Sequence, residues 1–101
     1  MLLKSVSTLF FTFYLTGTNA DILLSPNPLH IGLAITNRDL ADTCYLSFSP
    51  QITAGSSRSI RLRPNETLTL LKSEGDDCTR LLYALGTAGI PVEIIESTGE
   101  K

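Results

Sequence analysis

His30-Ile31-Gly32-Leu33-Ala34-Ile35-Thr36-Asn37 is the stretch that decides the fold class of this chain. Ile31, Leu33 and Ile35 recur at every second residue, with Gly32, Ala34 and Thr36 between them. Successive side chains of a strand leave on opposite faces, so period two with one branched face and one small face describes a half-buried strand. The pattern repeats outward from this segment. Cys44, Leu46 and Phe48 alternate with Tyr45, Ser47 and Ser49; Ile60 and Leu62 alternate with Ser59, Arg61 and Arg63. Leu68 and Leu70 alternate with Thr67, Thr69 and Leu71, and Asp21–Leu24 is a short apolar stretch that stops at Pro26. Leu81–Leu85 and Val92–Ile95 are apolar on both parities, as strands covered on both faces are.

Turn-formers separate these runs: Ser25-Pro26-Asn27-Pro28, Asn37-Arg38-Asp39, Ser49-Pro50, Gly55-Ser56-Ser57, Arg63-Pro64-Asn65, Gly75-Asp76-Asp77 and Gly86-Thr87-Ala88-Gly89. Breakers at roughly ten-residue intervals leave no room for a long helix and suit short strands joined by loops. The expected fold is all-β, a small antiparallel β-sandwich of about seven or eight strands. Proline presets φ and asparagine tolerates turn geometry, so Pro64-Asn65 predicts a tight turn. That turn is expected to join Ser59–Leu62 to Glu66–Leu71 as a hairpin. The predicted core is Ile31, Leu33, Ile35, Leu46, Phe48, Ile60, Leu62, Leu68, Leu70, Tyr83, Val92 and Ile94. Arg61 and Arg63 predict a solvated or partner-facing side that discourages edge-to-edge aggregation.

The chain has 101 residues, 43% of them hydrophobic, and a formal net charge of −2. That is one domain, too apolar for disorder and small enough that a host assembly or a crosslink would help its core. The mild acidity gives no electrostatic reason to expect nucleic acid as a partner.

Residues 1–20 support two readings. Lys4, the apolar run Leu9–Leu15 and Thr18-Asn19-Ala20 have the three parts of a secretory signal peptide, which would leave a mature chain starting at Asp21. The run is too short for a transmembrane helix. Alternatively, Phe10-Phe11-Thr12-Phe13-Tyr14-Leu15 favours a strand, because aromatic side chains pack well on a pleated surface. The expected division is an apolar arm or first strand at 1–14 (or a signal peptide at 1–20), a sandwich at 15–97 and a flexible tail at 98–101.

Few residues invite chemistry. Cys44 and Cys78 are a possible disulfide in an oxidising compartment, or two small buried apolar side chains in a reducing one. His30 is the only histidine, and no nucleophile motif accompanies it. It is expected to be a surface or structural residue whose replacement by Ala changes stability little. No catalytic, cofactor-binding or metal site is expected. Asn65-Glu66-Thr67 fits a glycosylation pattern but is explained by a turn entering a strand. Glu74, Asp76 and Asp77 form a small acidic loop without the ligand spacing of an EF-hand.

A family resemblance runs through the chain from about residue 13 to residue 97. Gly17-Thr18 leads into Leu23-Leu24-Ser25-Pro26-Asn27-Pro28, and Gly32-Leu33-Ala34-Ile35-Thr36-Asn37 follows. Asp42-Thr43-Cys44-Tyr45-Leu46-Ser47-Phe48, Leu62-Arg63-Pro64-Asn65-Glu66, Leu82-Tyr83-Ala84 and Val92-Glu93-Ile94-Ile95-Glu96 complete the series. This order resembles that of small β-sandwich structural proteins of tailed bacteriophage virions. The chain departs from that family's pattern at His30, where Arg is common, at Asn65, where the turn has Gly, and in its two cysteines. The resemblance implies an accessory capsid (decoration) or a tail- or fibre-associated component with no catalytic residues and no cofactor. It implies other virion proteins as partners, homo-oligomerisation, and neither nucleic acid nor membrane. It also implies that Leu15–Ala20 belongs to the first strand, which disfavours cleavage after Ala20. Leu9, Phe10, Phe11, Phe13 and Tyr14 become the expected assembly contacts, because a small core cannot cover both faces of such a strand. The alternative is a secreted or periplasmic binding domain with one disulfide.

Overall fold

The computed structural model describes residues 6–17, 20–49 and 59–99. Two four-stranded antiparallel sheets face each other. Sheet A has the order β1-β8-β3-β6, from β1 (Val6–Tyr14), β8 (Pro91–Gly99), β3 (His30–Asn37) and β6 (Thr67–Leu71). Sheet B has the order β2-β7-β4-β5, from β2 (Asp21–Leu24), β7 (Leu82–Leu85), β4 (Cys44–Ser47) and β5 (Ile60–Leu62). Among the described residues there is no α-helix, only a 3-10 turn at Lys72–Glu74 closed by Gly75 in the left-handed region (φ 90°). The all-β antiparallel sandwich is as the alternating pattern predicts. The breakers Ser49-Pro50 and Gly55-Ser56-Ser57 lie outside the described residues, except for Ser49.

The core lies where the inward parities meet. Leu33, Ile35, Val92 and Ile94 from sheet A face Cys44, Leu46, Leu62, Leu82 and Ala84 from sheet B, all buried. Phe48, Ile60, Leu68 and Leu70 are half-buried and pack against that centre. Two predicted core positions are corrected. In β7 the inward residues are Leu82 and Ala84, and Tyr83 takes the other parity and is half-buried; a strand apolar on both faces carries no periodicity to tell them apart. In β3 a register shift between His30 and Gly32 breaks the alternation. A bulge of this kind places an extra residue on one strand and re-aims its neighbours. His30 is therefore buried, and Ile31 is half-buried at the wall of a groove on the outer face.

The Pro64-Asn65 turn forms, but it does not make a hairpin. Glu66 N donates to Arg63 O at 3.0 Å across the turn, with Asn65 at φ 64°. Proline at the second position and positive φ at the third is type II geometry. The two strands it joins belong to different sheets, since β5 pairs with β4 and β6 pairs with β3. Asn37, fully buried at the end of β3, holds this corner: its Nδ2 donates to Leu62 O at 2.9 Å and to Asp42 O at 2.8 Å, and its carbonyl accepts from Asn65 N at 2.7 Å.

Two expected boundaries move. β1 ends at Tyr14, and Leu15 turns into the core as the start of the crossover to β2, so Leu15–Gly17 and Ala20 are not strand. Gly17 (φ 83°) lies so close to Ala88 that a Cβ would fall 2.5 Å from the Ala88 nitrogen. Leu15 N donates to Ile90 O and Gly89 N donates to Leu15 O, so the chain must leave β1 here to clasp the 86–90 turn. At the other end β8 includes Thr98 and Gly99, opposite Ser7 and Val6, where a flexible tail was expected to begin.

Candidate assembly surface

β1 is the outer strand of sheet A. It pairs with β8 in unbroken register from Val6↔Gly99 to Tyr14↔Pro91. Its inward parity, Leu9, Phe11 and Phe13, is opposite Glu96, Ile94 and Val92. Only Phe13 packs against the core; Phe11 is 37% and Leu9 59% exposed. On the outward parity Phe10 is 70% and Tyr14 65% exposed. The strand thus leaves large apolar side chains uncovered on both faces. Together Leu9, Phe10, Phe11 and Tyr14 expose on the order of 450 Å² at the usual size of such side chains. That area is divided between the two faces of the edge strand, where it stays open to a partner laid along it. All five candidate assembly residues therefore share one strand, and four of them are open to a partner.

The buried polar residues do structural work on the same sheet. His30, 3% exposed, places Nδ1 at 3.1 Å from Cys78 O and Nε2 at 2.7 Å from Glu96 Oε1. A carbonyl only accepts, so Nδ1 carries a proton and the imidazole links β3 and β8 of sheet A to the loop before β7. The alternating pattern of β3 could not reveal this pairing, because Glu96 lies far along the chain and the bulge at His30 leaves no sequence signal. Every buried side-chain polar atom among the described residues has a partner.

Cys44 and Cys78 are both buried and both free thiols. Burial pushes the Cys44 thiol up to about 11, and burial together with the nearby Asp76 and Asp77 charges raises that of Cys78. The acidic loop is used locally: Asp76 Oδ2 accepts from Leu71 N at 2.9 Å, and Asp77 Oδ1 accepts from Thr79 N and Oγ1. Those two bonds from Thr79 hold the Asp77 carboxyl below its ordinary range. Among the described residues no cluster of three metal-ligating side chains occurs.

No protein-family model and no curated protein matches the sequence. Among solved structures, a chain of the Bacillus endospore appendages, described as a novel family of disulfide-linked pili, has a similar fold. The TM-score is 0.52 at 13% identity, over 98% of this chain and 92% of that one.

Proposed function

We propose that the chain is a non-enzymatic structural subunit that assembles through the edge of β1. The observation that carries this reading is the run of exposed apolar side chains, Leu9, Phe10, Phe11 and Tyr14, on an outermost strand without a single charge. Such an edge offers unpaired backbone groups and apolar surface together, which is what strand addition uses. The motif order from Gly17 to Glu96 supports placing the assembly in the virion of a tailed bacteriophage, as a capsid decoration or a tail- or fibre-associated component. A second setting, a pilus-like filament, is supported by the likeness in fold to a chain of the endospore appendages along nearly the whole chain. That neighbour is described as disulfide-linked, whereas both cysteines of this chain are buried. The assembly proposed here is non-covalent.

Sedimentation of the parent and of Phe11→Asp tests the reading. The parent is expected to associate as concentration rises, and the variant to remain monomeric with its far-UV spectrum unchanged. A monomeric parent at all concentrations, with no binding to a virion or filament component, sinks the proposal. So does an intact-mass measurement showing that the native chain starts at Asp21, because β1 is then absent.

A further inference from the structure

The two sheets treat their edges differently. In sheet B, β2 carries Asp21, has a register shift between Ile22 and Leu24, and stops before Pro26; β5 is three residues long and exposes Arg61. Short length, charge and bulges are the devices that stop an edge from pairing with another chain. In sheet A the edges are more open, although the far end of β6 is closed: Leu71 N donates to Asp76 Oδ2 and Leu71 O accepts from Asp76 N, which leaves Thr67–Leu70. β1 is nine residues in unbroken register and β6 is five, and neither contains a charged residue or a proline.

The open parts of these two edges are complementary. Four strands alternate in direction across sheet A, so β6 runs opposite to β1. A second copy laid beside the first in the same orientation therefore presents its β6 antiparallel to β1, and the sheet continues without a flip. The side-chain parities also agree. On β6, Leu68 and Leu70 face inward and Thr67, Thr69 and Leu71 outward, as their pairing with Ile35, Leu33, Thr36, Ala34 and Gly32 requires. On β1, Phe11 and Phe13 face inward and Phe10, Thr12 and Tyr14 outward. One antiparallel register sets Phe11 against Leu70, Phe13 against Leu68, Thr12 against Thr69 and Tyr14 against Thr67, short of Leu71, whose backbone is held by Asp76. Apolar meets apolar, and threonine meets threonine as Thr36 and Thr67 already do within the subunit, at 2.7 Å between their hydroxyls. Leu71 is also one wall of a groove of about 640 Å³ beside Gly32, Ile31 and Ser97. The missing side chain of Gly32 makes room there, and Lys72 and Ser73 complete its wall.

We propose that the partner of β1 is the β6 edge of a second copy of this chain, so that sheet A extends head to tail. This rests on the reading of the chain as an assembly subunit and adds the partner and the direction of growth. A contact between two different edges is heterologous: it closes into a ring or grows as a filament, whereas pairing of β1 with β1 stops at a two-fold dimer and leaves β6 bare.

Complementation between two blocked variants tests this. Phe10→Lys/Thr12→Lys places charge on β1 and leaves β6 intact; Thr67→Lys/Thr69→Lys does the reverse. All four positions are exposed, and thermal unfolding of each variant verifies the fold. Each variant alone is expected to need at least about tenfold more protein than the parent to associate, since lysines along an edge strand oppose its pairing with another chain. Mixed in equal amounts, the two are expected to form a one-to-one heterodimer and nothing larger. A β6 variant that associates like the parent, while the β1 variant does not, overturns the head-to-tail arrangement and leaves the β1 assembly reading intact. If the β1 variant also associates like the parent, both fail. If either variant unfolds early, the single changes Thr12→Lys and Thr69→Lys are mixed in the same way, and absence of the heterodimer again overturns the arrangement.

Discussion

At the residue scale, His30 shows how position overrides type. A lone histidine at the mouth of a strand reads as a surface or structural residue, and its ring is in fact buried between the Cys78 carbonyl and the Glu96 carboxylate. Truncation to Ala leaves two acceptors without their donor in a poorly solvated place, and a buried unpaired group costs about 1–3 kcal/mol. His30→Ala is therefore expected to lower the unfolding free energy by about 2–3 kcal/mol in urea titrations, well above the small change that an exposed histidine would give. A loss below about 0.5 kcal/mol, the range of ordinary surface changes, contradicts this. Any change in assembly beyond the loss of stability would run through Glu96, which His30 bonds and which lies opposite Leu9 of β1.

At the element scale, the corner between β5 and β6 decides which sheet each strand joins. Asn65 holds φ at 64°, where a side chain with a Cβ is strained and glycine is not. Asn65→Gly is expected to be neutral or slightly stabilising, and Asn65→Val to cost about 1–2 kcal/mol, since a branched residue tolerates left-handed backbone least. Thermal unfolding of the pair checks this; equal melting temperatures for the two variants would count against the turn geometry. The alternation along Thr67–Leu71 was legible in the sequence, as was the turn before it. The destination of the strand was not, because Asn37 bonds to Leu62 O and Asn65 N and fastens β5 and the turn across the sandwich. The side-chain amide reaches Leu62 O and the backbone carbonyl accepts from Asn65 N, and neither contact has a periodic signature.

At the scale of the whole molecule, stability at high pH reports the buried thiols. In the unfolded chain Cys44 ionises near its ordinary value of 9.0, and in the folded chain only near about 11. Below pH 9 both states keep the proton, so Cys44 adds no pH dependence. From pH 9 to 11 the unfolded chain loses its proton first, and the balance shifts toward unfolding by on the order of 2–3 kcal/mol. Parent and Cys44→Ala compared by denaturant unfolding at pH 7.5 and 10.5 isolate this: the variant is less stable at the lower pH because of its cavity, and loses less than the parent between the two. Parallel losses would show that the thiol is not the titrating group. The same burial keeps both cysteines out of an intersubunit crosslink, in keeping with the proposed non-covalent contact of uncharged edges.

The sequence by itself determined the sandwich, because period-two apolar patterning and closely spaced breakers are local consequences of strand geometry. His30–Asn37 and Thr67–Leu71 could be read to the residue. It also marked Leu9–Tyr14 as an apolar run in excess of one small core. The tertiary structure alone decided that β1 lies at an edge, that β6 is the opposite edge of the same sheet, and that His30 meets Glu96. Strand order, bulges and sheet partners depend on contacts between residues far apart in the chain, whose free energy is set by what the rest of the fold places beside them. A pattern of side chains along one segment carries no record of its neighbour.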